Sequence, residues 1–241
     1  MTMPNRSSGP NSLSRLILAL GLALVAATSL GAEDLKDRGV FVLKIAGKPI
    51  GTETFDIVPQ KDSIEVSAKI DLRVEQDGKT VEFKTMPRLV LTTDLNAISY
   101  EWSQKGAQSS DLKVDMRSSH VSAKYRTVTG AEDVREFELP AGVIVLDNNV
   151  IHHYQIAVYR YRRAGGGKQS FRAFIPQEAL PGAFEIEDAG PDRTDVDGHE
   201  QQLEHLTVTT DNARIDLWID DKDRLQKIAI PAAQLEVVRK K

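Results

Sequence analysis

Two adjacent histidines, His152 and His153, are the most conspicuous side chains for chemistry in this chain. Imidazoles bind transition metals, but two ligands on one helix need spacing such as i, i+4. Neighbouring helical residues point about 100° apart, and no carboxylate stands at helical spacing to complete a set. The pair is therefore expected on a helix surface. Asp195-Val196-Asp197-Gly198-His199-Glu200 resembles a calcium loop without its repeated ligand frame or closing glutamate. A polar hairpin turn is the better reading. For His199-Glu200 to open a zinc H-E-x-x-H motif, histidine would have to stand at Leu203. There is no G-x-S-x-G elbow, no phosphate-binding loop and no cysteine nucleophile. The sequence assigns no catalytic residue, no metal ligand and no cofactor. Enzymatic activity would require a hydrolase site assembled from distant groups, such as His153, His199 or His205 beside carboxylates.

The elements that would position any site are mostly strands. Ile64, Val66, Ala68, Ile70, Leu72 and Val74 alternate with Glu65, Ser67, Lys69, Asp71, Arg73 and Glu75. Alternation of this length gives one buried and one wet face, as in antiparallel sheets. Short polar links separate runs of β-formers: Gly47-Lys48-Pro49-Ile50-Gly51, Gln76-Asp77-Gly78-Lys79 and Asp220-Asp221-Lys222-Asp223. Further strands are expected near 88–93, 97–103, 112–117, 121–128, 134–139, 170–175, 183–188 and 202–209. One helix is predicted over Asn148 to Arg163, with Asp147 as N-cap and Gly165 after its end. Val150, Ile151, Tyr154, Ala157, Val158 and Tyr161 form its apolar stripe. Arg160, Arg162 and Arg163 crowd its last turn, where the helix dipole favours cations. Arg239-Lys240-Lys241 reads as a solvated tail.

One 16-residue helix is about 24 Å long, too short to cover ten or more flat strands spaced about 4.8 Å apart. The fold class that follows is mainly β: a large, strongly curved antiparallel sheet with one main helix on its apolar face. The sheet forms a barrel or a half-barrel. A half-barrel leaves an apolar groove. The side chains expected to face a ligand there are Val66, Ile70, Leu72, Leu89, Leu91, Trp102, Tyr154, Val158 and Trp218.

Residues 1–32 read as an export signal, leaving a single β-rich domain over 33–241. Arg6 and Arg15 precede the apolar run Leu16 to Ala27, and Thr28, Ser29, Gly31 and Ala32 follow. Cleavage fits after Gly31 or Ala32. The clean apolar run is shorter than the roughly 20 residues of a spanning helix, so no membrane span is expected after cleavage. Among the 241 residues there is no cysteine, hence no lipid-modified cysteine and no disulfide framework. The 35 acids exceed the 31 Lys and Arg and all follow the signal. That balance disfavours nucleic acid and anionic membrane surfaces as partners.

The hairpin Phe41 to Val58, with its Gly-x-x-x-Gly turn, resembles the opening of bacterial exported proteins in a domain family of unknown function. Leu217-Trp218-Ile219-Asp220 through Leu225-Gln226-Lys227-Ile228 and Pro231 resembles their closing hairpin, and Leu146-Asp147-Asn148-Asn149 their helix opening. That resemblance implies a half-barrel akin to the periplasmic lipoprotein carriers, which hold acyl chains. It implies no catalytic residues. The functional expectation is an exported, periplasmic or extracellular, soluble, non-enzymatic protein that carries an apolar ligand such as a lipid. A cell-envelope interaction module without a small ligand is the alternative. An outer-membrane barrel is disfavoured by 6% aromatic residues without a girdle pattern.

Overall fold

The computed structural model describes residues 35–76, 78–105 and 109–240. The export signal expected over 1–32 lies outside these residues, as do Asp77 and Lys241. Among the described residues, sixteen strands form one sheet around one α-helix. The first nine are β1 (Asp37–Ile45), β2 (Lys48–Pro59), β3 (Ile64–Gln76), β4 (Lys79–Thr85), β5 (Arg88–Leu91), β6 (Ala97–Lys105), β7 (Ser110–Asp115), β8 (His120–Arg126) and β9 (Glu132–Glu138). The short β10 (Ile144–Val145) leads to α1 (His152–Arg163). Then come β11 (Gln169–Ile175), β12 (Leu180–Val196), β13 (His199–Thr209), β14 (Arg214–Ile219), β15 (Leu225–Ile230) and β16 (Leu235–Arg239). Spatial order runs β10 to β16, then β1 to β4, then β6 to β9, with β5 bridging β3 and β6. Pairing is antiparallel except between β10 and β11.

The alternation in β3 is borne out. Ile64, Val66, Ile70 and Leu72 lie in the core, whereas Lys69 and Arg73 face outward and pair with Asp71 and Glu82. A flat sheet of sixteen strands would span about 75 Å, against about 18 Å for a 12-residue helix. The sheet therefore rolls around α1. Its two edges approach each other without a ladder. Phe137 of β9 meets Phe174 of β11 with ring centroids 5.0 Å apart. The Tyr125 hydroxyl of β8 donates to the Pro176 carbonyl at 2.8 Å. The edge strand β9 carries Glu132, Asp133, Arg135, Glu136 and Glu138, charges that discourage pairing with a further strand. Apolar side chains inside and ion pairs outside reverse the arrangement of a membrane barrel.

Several expectations need correction. The helix begins at His152 rather than Asn148, and Asp147 does not cap it. Its burial is not a stripe: His152, His153, Gln155, Ile156, Ala157, Val158, Tyr159 and Tyr161 are all buried, and Tyr154 is half-buried. A helix buried on nearly every side is an interior element, so among the described residues α1 fills the barrel interior. The link expected over Gly47–Gly51 is a two-residue turn, Ala46-Gly47, with φ of 49° and 77°. Positive φ at both positions is the hairpin geometry that matches strand twist.

Pro49 to Gly51 belong to β2 instead. A β-carbon at Gly51 would stand 2.1 Å from the Asp71 carbonyl oxygen and 2.8 Å from Leu72 Cα. Gly51→Ala is therefore expected to cost about 3 kcal/mol, measured by urea unfolding. A loss below about 0.5 kcal/mol, as at an open surface site, would show that the β2–β3 approach is looser than described. The strand expected at 183–188 lies in the first half of the 17-residue β12, which continues through a bulge near Gly190. The polar turn read at Asp195–Glu200 is borne out: Asp197 and Gly198 take positive φ, and the Asp195 carboxylate accepts the Gly198 N–H at 3.1 Å.

Candidate functional site

The barrel interior holds a polar knot where α1 begins. Glu53 lies on β2 between Gly51 and Phe55, so the pleat turns its carboxylate inward. Its side chain is fully buried and accepts the Ile151 and His152 backbone N–H groups, each at 2.7 Å. The first turn of a helix has N–H groups without intrahelical acceptors. Glu53 therefore caps α1 from a strand 98 residues away in sequence.

The same carboxylate faces His152 Nδ1 at 2.9 Å. A carboxylate accepts, so Nδ1 carries a proton, and Nε2 has no partner. In His153 the Nδ1 position is instead an acceptor. Its Nδ1 accepts the Asp147 backbone N–H at 3.1 Å, and its Nε2–H has no partner. Asp147 accepts the Tyr100 hydroxyl at 2.6 Å and the Gln177 N–H at 3.0 Å. The rings of His152 and His153 meet edge to face, centroids 4.8 Å apart. The expectation of a surface histidine pair is thus overturned: both residues are 0% exposed. The knot offers no nucleophile to solvent, and its chemistry is to hold a helix end. Among the described residues no group of three His, Cys, Asp or Glu is placed to hold a metal.

Burial, followed by the neighbouring His152, holds the His153 imidazole well below its usual pKa. Burial raises Asp147 and pushes the Tyr100 hydroxyl well up. Native His153 thus stays neutral where the unfolded chain takes up a proton. Its contribution to stability is full above the unfolded value near 6.5 and is lost as pH falls below it, by up to about 1.4 kcal/mol per pH unit. The raised pKa of Asp147 acts in the opposite sense at lower pH, and so does surface His120, which Glu138 holds up. Urea unfolding between pH 7 and 5 is expected to show the loss. His153→Asn, which keeps an acceptor near the Nδ1 position, is expected to flatten it. An unchanged slope in that variant would remove His153 as the cause.

The C-terminal end of α1 is tied to the loops at one end of the barrel. Arg160 donates to the Asp94 carbonyl, Asn96 Oδ1 and the Gly142 carbonyl at 3.1, 2.9 and 3.2 Å. Arg163 donates to the Thr93 carbonyl at 2.7 Å. Arg162 binds Asp223 at 2.7 Å and also pairs with Glu204. Beside these loops is a cleft of about 520 Å³, with Ile98, Met116, Val121, Leu139 and Val143 among its walls and Asn96, Arg117, Ser118 and Ser119 as polar members.

Of the side chains expected to face a ligand, Val66, Ile70, Leu72, Leu89, Leu91, Trp102 and Val158 come together in the main core, with Tyr154 packed against it. None of them lines this cleft. Trp218 is separate. It packs with Val196, Leu203 and Val238 in a second cluster, under the folded-over β12–β13 arm. Its Nε1–H donates to Asp192 at 2.9 Å, and the His205 ring stacks on it at 4.8 Å. His205 binds Asp216 at 2.8 Å there, and His199 is exposed. The three histidines considered for a hydrolase are thus not gathered in one cleft. Sequence reasoning missed Glu53, Tyr100 and Gln155; the last holds the β14–β15 turn through Leu225 N and Asp223 O at 2.6 and 2.7 Å.

No family model matches the sequence, and no curated protein does. Among solved structures, a β-barrel-like protein of the domain of unknown function DUF1849 from Brucella abortus matches with a TM-score of 0.58. Identity is 9%, over 85% of this chain and 94% of that one. A DUF1089 family protein from Pseudomonas aeruginosa gives a TM-score of 0.45 at 13% identity, over 75% of this chain and 90% of that one. The first likeness supports the barrel-like fold; neither bears on activity.

Proposed function

We propose that this is an exported, non-enzymatic binding protein that holds an apolar ligand, such as a lipid acyl chain, in the cleft at the C-terminal end of α1. The observation that carries this reading is the division of space. Helix α1 occupies the barrel interior, whereas the cleft is open, walled by Ile98, Met116, Val121, Leu139 and Val143, and about 520 Å³ in volume. Small-molecule sites fall at roughly 300–1,000 Å³ with mostly apolar walls and a few polar groups. The sequence of residues 1–32, read as an export signal, supports a periplasmic or extracellular location. The ligand-facing set is accordingly moved from the filled core to the barrel's end.

The test is native mass spectrometry of protein recovered from the cell envelope, followed by titration with a fluorescent fatty acid. Ala141 is exposed and lines the cleft, so Ala141→Trp fills it without touching the core. A retained or titratable apolar ligand, lost in Ala141→Trp, supports the reading. No ligand and no saturable binding would sink it, and the filled interior would then favour the interaction module.

A further inference from the structure

A second cleft, separate from the first, lies where β1 begins, β2 ends and the β14–β15 turn closes. Its volume is about 630 Å³, and its lining is Lys36, Asp37, Arg38, Asp56, Ile57, Val58 and Arg224. Three cations and two carboxylates share it, and one carboxylate is already spent. Asp37 is buried and accepts two bonds from the Arg239 guanidinium, at 2.6 and 3.0 Å, and one from the Arg38 N–H at 2.9 Å. Arg224 Nε stands 3.8 Å from it, beyond hydrogen-bond distance. Among the described residues the side chains of Lys36 and Arg38 have no bonded partner. Asp56, exposed and opposite Arg38 in the β1–β2 register, is the remaining acid.

A second observation lies beneath. The Tyr159 hydroxyl is buried without a hydrogen-bond partner. Burial pushes this hydroxyl's pKa up most, and the charges of Asp37, Arg224, Arg239 and Asp223 act on it next, in that order. An orphan donor thus sits in the field of the same charged group. Buried polar groups are nearly always paired, but Tyr159 is not among the residues lining the cleft, so it reports the field of these charges and not a ligand contact.

We propose that this cleft binds a phosphate group. Two guanidinium forks and one ammonium suit a dianion with several acceptor oxygens, and they stand on a chain whose net charge is −4. Ile57 and Val58 add an apolar flank, so the phosphate belongs to a free phosphate ester or to a lipid headgroup.

Isothermal titration of the purified protein with inorganic phosphate and with short-chain dihexanoyl phosphatidate tests this. Saturable binding is expected, weakened about tenfold or more in Arg38→Gln/Arg224→Gln and tightened in Asp56→Asn. Tighter binding of the phosphatidate identifies a headgroup site; equal binding identifies a site for phosphate itself. Lys36→Gln, at an exposed position, gives a second test if the double variant does not fold. No saturable binding of either probe below about 1 mM, or binding unchanged in these variants, would overturn the proposal. Because the two clefts share no lining residue, fatty-acid binding at the first is expected to be unaffected by all of these changes.

Discussion

Glu53→Ala is expected to destabilise the protein by about 3–5 kcal/mol, because each buried donor left without its acceptor costs about 1–3 kcal/mol. Three donors lose their acceptor together: the N–H groups of Ile151 and His152 at 2.7 Å and His152 Nδ1 at 2.9 Å. No side chain of α1 replaces it, since the helix has no cap of its own and no acid in its first turn. The carboxylate also leaves a void in a site closed to water. Glu53→Gln keeps one acceptor oxygen but sets an NH2 group against an N–H donor, so its loss is expected to be roughly half as large. Chemical denaturation at pH 7 measures both. Equal, small losses for the two variants would mean that packing alone holds the start of α1.

Arg239→Ala is expected to cost a similar amount, about 3–5 kcal/mol. The residue reads as part of a basic tail, yet its side chain is 11% exposed and its partner Asp37 only 2%. The guanidinium makes two bonds to the Asp37 carboxylate and another to the Arg38 carbonyl at 2.8 Å. It also lies over the rings of Phe41 and Phe55, 5.9 and 5.3 Å from their centroids. Gly39 makes room for it, because a β-carbon there would stand 2.9 Å from the guanidinium. Without Arg239 the Asp37 charge remains buried, with Arg224 too distant to replace the lost bonds. Arg239→Lys keeps the charge but loses the fork, so an intermediate loss is expected in the same denaturation series. A cost under about 1 kcal/mol for Arg239→Ala, the scale of an exposed ion pair, would contradict this placement.

Strand alternation made the sheet legible, because period 2 reports which face is buried regardless of strand order. The same parity also places Glu53 inward, with Phe55 and Ile57, and Asp37 inward, with Phe41 and Leu43. That signal was present but outweighed by the usual preference of carboxylates for water. The helix misled for a related reason. His152 to Tyr159 contains no Lys, Arg, Asp or Glu, the mark of a helix buried on all sides, but placing the histidine pair on the surface made it look amphipathic. The β12–β13 arm is longer than the strands expected at 183–188 and 202–209, because Gly190 and Pro191 interrupt the apolar alternation. Its extension folds over Trp218 instead, which removes that residue from the set sharing the main core. Nothing local in Ile144-Val145 announces a parallel pair, since two residues carry too little pattern.

The most direct test of the binding account is methyl-resolved NMR of the protein during titration with dodecanoate. Shifts gathered on Met116, Val121, Leu139 and Val143, with Val66, Ile70 and Val158 unmoved, are the result expected for a ligand held at the barrel's end beside a filled interior. Shifts gathered on Val66, Ile70, Leu72, Leu89, Leu91 and Val158 would contradict it, because the ligand would then have displaced α1 from the barrel.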